Sequence, residues 1–221
     1  MLNLLFPRVC HGCETVLHPG EEVLCLFCLS NLPILAHHRY QDRQMEMIFY
    51  GRLPIEYATS LVRFEKKGLT QTLLHKLKYQ GQQHIGAFFG KWLGSELASN
   101  QLTNRIDRVI PVPLHPKKLK KRGYNQVGRF AQELAAQLKA AYDPSVLVRQ
   151  GKRTTQVFRS RSSRILDDNT FRPLSDRNFK GQHLLLVDDV LTTGMTLELC
   201  GKELLKLKPA SLSLATIALA T

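Results

Sequence analysis

The sequence predicts an α/β fold: a mostly parallel sheet flanked by helices, with a small module appended at the N-terminus. Three observations lead there. From about residue 56 onward, short runs of strand character alternate with segments of helical period, the pattern of βα units. Several of those runs are apolar without alternation, as expected of strands buried on both faces of a parallel sheet. The first 30 residues instead hold four of the five cysteines and show little periodicity.

The elements follow in order. Residues 57–64, YATSLVRF, read as a strand. In 69–81 the apolar residues fall at 69, 73, 74 and 77, the spacing of one helix face. Residues 84–99 read as a second helix, weakened by its glycines, and 107–114, DRVIPVPL, as a short buried strand closed by prolines. Residues 125–141 place Phe130, Leu134 and Leu138 on one helical face. Then come a strand at 145–150, a polar and basic exposed loop at 151–170, and a buried strand at 183–189. A helix over 196–208 ends at Pro209, and 211–220 form the last strand. Residues 31–55, with Pro33, Gly51 and Pro54, read as an irregular linker. In parallel sheets of this class ligands sit beyond the carboxyl ends of the strands. The loops after 113 and after 187 therefore lie on the functional edge.

The 221 residues suffice for one ordinary domain with a full core and a small appendage. At 43% hydrophobic and 22% charged, the composition is that of a globular chain and excludes a disordered or fibrous one. Lys and Arg number 31 against 18 Asp and Glu, a formal net charge of +13. That excess favours polyanionic partners: nucleic acid, an acidic membrane surface or phosphorylated small molecules. No run of 18 apolar residues exists, so no spanning helix is expected, and the opening MLNLLFPRVC lacks the basic n-region of a signal peptide. The expected location is the cytoplasm, where cysteines act as metal ligands or thiols rather than as a disulfide framework.

Cys10, Cys13, Cys25 and Cys28 form C-x2-C-x11-C-x2-C. Two short knuckles of two thiolates each close a tetrahedral zinc shell, and a closed four-sulfur site is structural. An iron–sulfur cluster or a redox dithiol pair would use the same residues. A module of about 30 residues cannot fold on an apolar core alone, and bound metal offsets that deficit. Residues 1–55 are thus expected to form a zinc-ribbon domain and linker, and 56–221 the α/β domain. His11 and His18 read as bystanders, and Cys200 as a small core residue.

Residues 184–196, LLLVDDVLTTGMT, join a buried strand to a hydroxyl-rich loop. Asp188 and Asp189 emerge at the carboxyl end, where they suit sugar hydroxyls or a divalent metal. Thr192, Thr193 and Thr196 supply hydroxyls, Gly194 lets the backbone approach an anion, and the following helix N-terminus adds oriented N–H groups. The stretch PVPLHPKKLKKRGYNQ, 111–126, holds Lys117, Lys118, Lys120, Lys121 and Arg122 in six positions without an acid. It reads as a basic loop that would receive a pyrophosphate, track a nucleic-acid backbone or simply be solvated.

The 184–196 run resembles the phosphoribosyl-diphosphate (PRPP) binding signature of type I phosphoribosyltransferases. The resemblance implies that Asp188 and Asp189 bind the ribose 2′- and 3′-hydroxyls, directly or through Mg2+. It implies that Thr192, Thr193, Gly194, Met195 and Thr196 wrap the 5′-phosphate. Several members carry a further acid, their presumed base, where this chain has Thr192.

The layout as a whole is similar to the competence protein F (ComF) family. The matching features are LLFPRVCHGC with its second cysteine pair, LKYQG at 77–81, the Pro-Val-Pro-Leu strand end, Arg122-Gly123-Tyr124-Asn125-Gln126 and the acidic strand end. Arg153, Thr154 and Gln156 match a further Arg-Thr-Gln stretch, while Asp167 stands where the family has Asn. This resemblance implies a zinc ribbon joined to a type I phosphoribosyltransferase-like domain. It also implies a role in the uptake of single-stranded transforming DNA. The ligand would be PRPP or a related phosphorylated sugar. Single-stranded DNA and a DNA-uptake helicase or inner-membrane channel would be the partners, met in the cytoplasm at the inner face of the membrane. Lys117, Lys118, Lys120, Lys121, Arg122, Gly123, Tyr124, Asn125 and Arg153 would hold pyrophosphate or the DNA backbone, with Tyr124 or Phe158 stacking on bases. The alternative is an active phosphoribosyltransferase passing phosphoribosyl from PRPP to an acceptor in nucleotide metabolism.

Overall fold

The computed structural model describes residues 7–35, 43–99, 106–150, 171–175 and 177–220. Five strands form one wholly parallel sheet in the order β1-β7-β6-β2-β3. They are β1 (Ala58–Arg63), β2 (Arg108–Pro111), β3 (Ala141–Tyr142), β6 (His183–Leu191) and β7 (Ser211–Leu219). Beside it, β4 (Leu147–Arg149) and β5 (Phe171–Pro173) pair antiparallel as a separate two-stranded sheet. The helices are α1 (Leu26–Ser30), α2 (Gln44–Phe49), α3 (Leu69–Tyr79), α4 (Gln83–Ser99), α5 (Pro116–Arg122), α6 (Gly128–Gln137) and α7 (Met195–Leu205).

Side chains of β6 alternate between two cores, because successive residues of a strand point to opposite faces. Leu185 and Val187 join Leu73 and Leu77 of α3, Phe89 of α4 and Phe130 of α6. Leu184 and Leu186 join Phe49 of α2 and Leu197 and Leu204 of α7. The glycines of α4 strengthen the packing they were expected to weaken. Gly90 faces the Phe130 carbonyl of α6, and a Cβ added at Gly94 would lie 2.6 Å from Gln137 Cβ, so α4 and α6 can approach closely.

The connections determine where a ligand can sit. From β2 the chain passes through α6 to β3 on one side, and from β6 through α7 to β7 on the other. Neighbouring β2 and β6 therefore form the point at which the winding reverses, and their carboxyl ends bound a crevice.

Four expectations change. The basic stretch at 111–126 is not all loop: residues 116–122 are helical. Pro116 occupies the first turn, His115 Nδ1 accepts the Lys117 N–H at 3.2 Å, and Gly123 closes the end in a left-handed conformation (φ +80°). The segment 31–55 is no plain linker, because α2 buries Met45 and Phe49 in the α7-side core. The strand at 145–150 leaves the main sheet to pair with Phe171–Pro173. The acidic strand, expected to end at Asp189, runs on two residues further to Leu191. The basic loop expected at 151–170 lies outside the described residues.

Candidate functional site

Asp188 and Asp189 are neighbours in sequence but not in direction, since the strand alternation sends them to opposite faces of β6. Asp189 turns toward α3, where Lys78 Nζ lies 3.1 Å from its Oδ1. It is buried, and its Oδ2 has no hydrogen-bond partner among the described residues. Asp188 Oδ1 accepts the Asp189 N–H at 2.8 Å. Removal from water, followed by repulsion from Asp189, pushes the Asp188 carboxyl up to about 8 from an ordinary 3.8. Lys78 and Arg149 act in the opposite sense on it.

The loop that follows is held from below. Gly194 adopts φ +77° at the N-terminus of α7, and a Cβ there would meet Phe49 Cε1 at 2.9 Å. Only glycine fits both the backbone and the space. Thr193 Oγ1 lies 3.5 Å from the Met195 N–H. Thr192, Thr193, Met195 and Thr196 are exposed, and Gly194 is buried beneath them. Arg52, two residues beyond α2's C-cap, donates from Nη1 to the Thr193 carbonyl at 3.2 Å and from Nε to Glu198 Oε2 at 2.9 Å. Lys202 and Arg52 together hold the Glu198 carboxyl below the usual carboxylate range.

The basic helix is fastened at its carboxyl end. Asn125 donates from Nδ2 to the Val112 carbonyl at 2.9 Å, and its Oδ1 lies 3.3 Å from the Val127 N–H. Tyr124 donates its hydroxyl to the Leu77 carbonyl, and Arg122 bonds Gln126 Oε1 while its guanidinium lies 5.3 Å from the Tyr79 ring centre. Gly123, Tyr124 and Asn125 thus shape the chain between β2 and α6. Lys117, Lys118, Lys120 and Lys121 are exposed and make no ion pair among the described residues. Arg153 and Phe158 lie outside the described residues.

Two participants escape a reading by sequence. Lys78 sits inside the LKYQG stretch, but nothing local shows that its ammonium reaches an aspartate 111 positions on. Arg52 belongs to the segment taken for linker.

The cysteine cluster stands apart. The four Sγ atoms of Cys10, Cys13, Cys25 and Cys28 lie within 4.8 Å of one another, close enough to hold one metal ion. Cys10 Sγ accepts N–H bonds from Gly12 and Cys25 at 3.3 Å each, and Cys25 Sγ one from Cys28 at 3.4 Å. Hydrogen bonds from Thr15 lower the exposed Cys13 thiol to about 6, in the direction that favours a metal-binding thiolate. Burial and the neighbouring cysteines push Cys28 upward. The module docks on α3 and α4: Lys76 Nζ lies 3.0 Å from Glu14 Oε1, and the His84 and His11 Nε2 atoms are 2.6 Å apart.

The phosphoribosyl transferase domain family matches residues 128–220. A DNA utilization protein, YhgH of Escherichia coli O157:H7, is 32% identical over 128 residues, 56% of this chain and 56% of that protein. The chain therefore matches about half the length of these relatives. Competence protein F of Haemophilus influenzae is 29% identical, covering 93% of this chain and 88% of that protein. Competence protein ComFC of Bacillus subtilis is 28% identical, covering 98% and 87%. Among solved structures, a hypoxanthine phosphoribosyltransferase from Staphylococcus aureus superposes with a TM-score of 0.36 at 15% identity, over 59% of this chain and 62% of that one. The fold assignment rests on the parallel sheet and the family match.

The raised Asp188 carboxyl has a measurable consequence. A folded value above the unfolded one means that its stabilising contribution is complete below about pH 4 and is lost as the pH rises to about 8. Asp188→Asn does not titrate. The difference in melting temperature, variant minus wild type, should grow in favour of the variant from pH 4 to pH 8 and then level off. A difference that stays flat across that range contradicts the assignment.

Proposed function

We propose that the chain, similar over nearly its full length to competence proteins F and ComFC and matched over 128–220 by the phosphoribosyl transferase domain family, is a competence protein F family member that binds PRPP or a related sugar phosphate between β2 and β6 and acts in uptake of single-stranded transforming DNA. One observation supports this above the others. The acid pair, the glycine loop and the basic helix all follow or end the two strands at which the winding reverses.

In this reading Thr192, Thr193, Gly194, Met195 and Thr196 wrap the 5′-phosphate at the N-terminus of α7. Asp188 and Asp189 take the ribose hydroxyls. The buried Asp189 Oδ2, without a hydrogen-bond partner among the described residues, suits a hydroxyl donor or a divalent cation equally well. Mg2+, when bound there, would neutralise charge on the pyrophosphate. Lys78 keeps Asp189 oriented, and Arg52 keeps the loop backbone in place. Thr192 offers a hydroxyl where transfer chemistry calls for a base, so the reading is a binding site that serves DNA uptake. Transfer of phosphoribosyl to an acceptor is the alternative, and release of pyrophosphate would reveal it. We place the protein on the cytoplasmic side of the inner membrane, with a DNA-uptake helicase or channel as partner. No helix among the described residues is long and apolar enough to cross a membrane. We assign residues 1–55 to the metal module and its connection, and 56–221 to the sugar-phosphate domain, with α2 and Arg52 of the connection packed onto the latter.

Calorimetric titration of PRPP with Mg2+ tests the site. Asp189→Asn should weaken binding roughly 10- to 150-fold, the worth of a hydrogen bond to a charged group. Equal affinity in the two proteins sinks the sugar-phosphate reading. For DNA, neutralising Lys117, Lys118, Lys120 and Lys121 together should flatten the slope of log affinity against log salt by roughly 0.7 per lost phosphate contact. An unchanged slope removes DNA from this helix. The metal assigned to the cysteine quartet is structural Zn2+. Purified protein should carry one zinc per chain, and chelation should expose the segment around Cys10 to Cys28 to rapid hydrogen exchange. Iron in place of zinc, or unaltered exchange after complete metal removal, contradicts that assignment.

A further inference from the structure

We propose that Tyr79 is the platform on which a base of single-stranded DNA stacks, next to the basic helix α5. This rests on the DNA reading above and adds the residue that meets the bases.

Tyr79 closes α3 and is 69% exposed. The ring is exposed but not loose. The Arg122 guanidinium lies 5.3 Å from its centre, and the His75 ring stands 5.0 Å away, tilted by 43°. A ring already held in one orientation gives up little freedom when a base settles on its open area. The guanidinium adds a cation that phosphate or a second base can share.

Its surroundings favour a strand over a free nucleotide. Arg122 ends α5, whose Lys117, Lys118, Lys120 and Lys121 are exposed and pair with no acid among the described residues. That helix is about 10 Å long at the standard rise, which suits several consecutive phosphates better than one group. A basic track ending at an aromatic face is the arrangement that binds single strands without sequence preference. Tyr124, expected with Phe158 to stack on bases, presents less open ring than Tyr79. It is only partly exposed, and its hydroxyl is committed to the Leu77 carbonyl beneath α5. Lys78, the preceding residue, extends to Asp189, so Tyr79 is one residue along the chain from the group that pairs with that acid.

The test uses the full chain, fluorescence anisotropy, and two probes of equal length: a 20-nucleotide oligothymidylate and the same sugar-phosphate strand without bases. Tyr79→Ala should bind oligothymidylate about 5- to 150-fold more weakly than wild type, the range for loss of one stacked base. Tyr79→Phe should bind like wild type. On the abasic strand Tyr79→Ala and wild type should be equal. If wild type binds oligothymidylate and Tyr79→Ala binds it equally well, the platform is refuted while DNA on α5 stands. If Tyr79→Ala weakens both probes alike, the effect is electrostatic or structural and the platform is again refuted. If wild type binds neither probe, the DNA reading falls together with the platform.

Discussion

Two carboxylates ending an apolar strand repel each other, and the last turn of α3 is what makes their placement tenable. Leu77, Lys78 and Tyr79 are consecutive, and each meets a different part of the site. The Leu77 carbonyl accepts the Tyr124 hydroxyl, Lys78 reaches Asp189, and the Tyr79 ring lies against Arg122. One helical turn thus registers the basic helix and the acidic strand against each other. The helix itself is fixed by Leu73 and Leu77, buried in the core beneath it. The positions of charged groups here follow from apolar packing a few residues away.

The repulsion is also reduced by geometry. Because β6 continues through both aspartates to Leu191, the two side chains leave the strand on opposite faces. Asp189 finds a cation. Asp188 keeps a raised carboxyl against the α7 side, where burial first, and the Asp188 charge second, raise the Cys200 thiol. The two acids are therefore not equivalent. One lies against an ammonium at 3.1 Å, and the other carries a carboxyl raised to about 8.

Much of this was legible in the sequence. The parallel core strands announce themselves as apolar runs, and Leu73, Phe130 and Leu134 fall at helical spacing. The 184–196 run carries its own chemistry, because strand, acids, turn and helix start are local features. What escaped is what depends on distant partners or on short elements. Helix α5 buries nothing, so no apolar stripe marks it, although Pro116 and Gly123 bracket it in plain view. Helix α2 has six residues, too few for a period to register, and only the fold reveals that Met45 and Phe49 are core. Strand β4 looked like a member of the main sheet because nothing within it shows that its partner, β5, begins at Phe171.

The contact between Phe49 and Gly194 redraws the working unit of the molecule. A glycine loop needs a firm underside if its backbone is to hold one shape, and here that underside is supplied by a segment 145 residues earlier in the chain, with Arg52 as its brace. A cut at the apparent border near residue 55 would leave every strand of the main sheet intact and still remove the floor of the loop. Shuffling or trimming of this chain during evolution is constrained accordingly: the stretch from α2 through Arg52 must travel with the residues that follow it, whatever becomes of the cysteine module ahead of it.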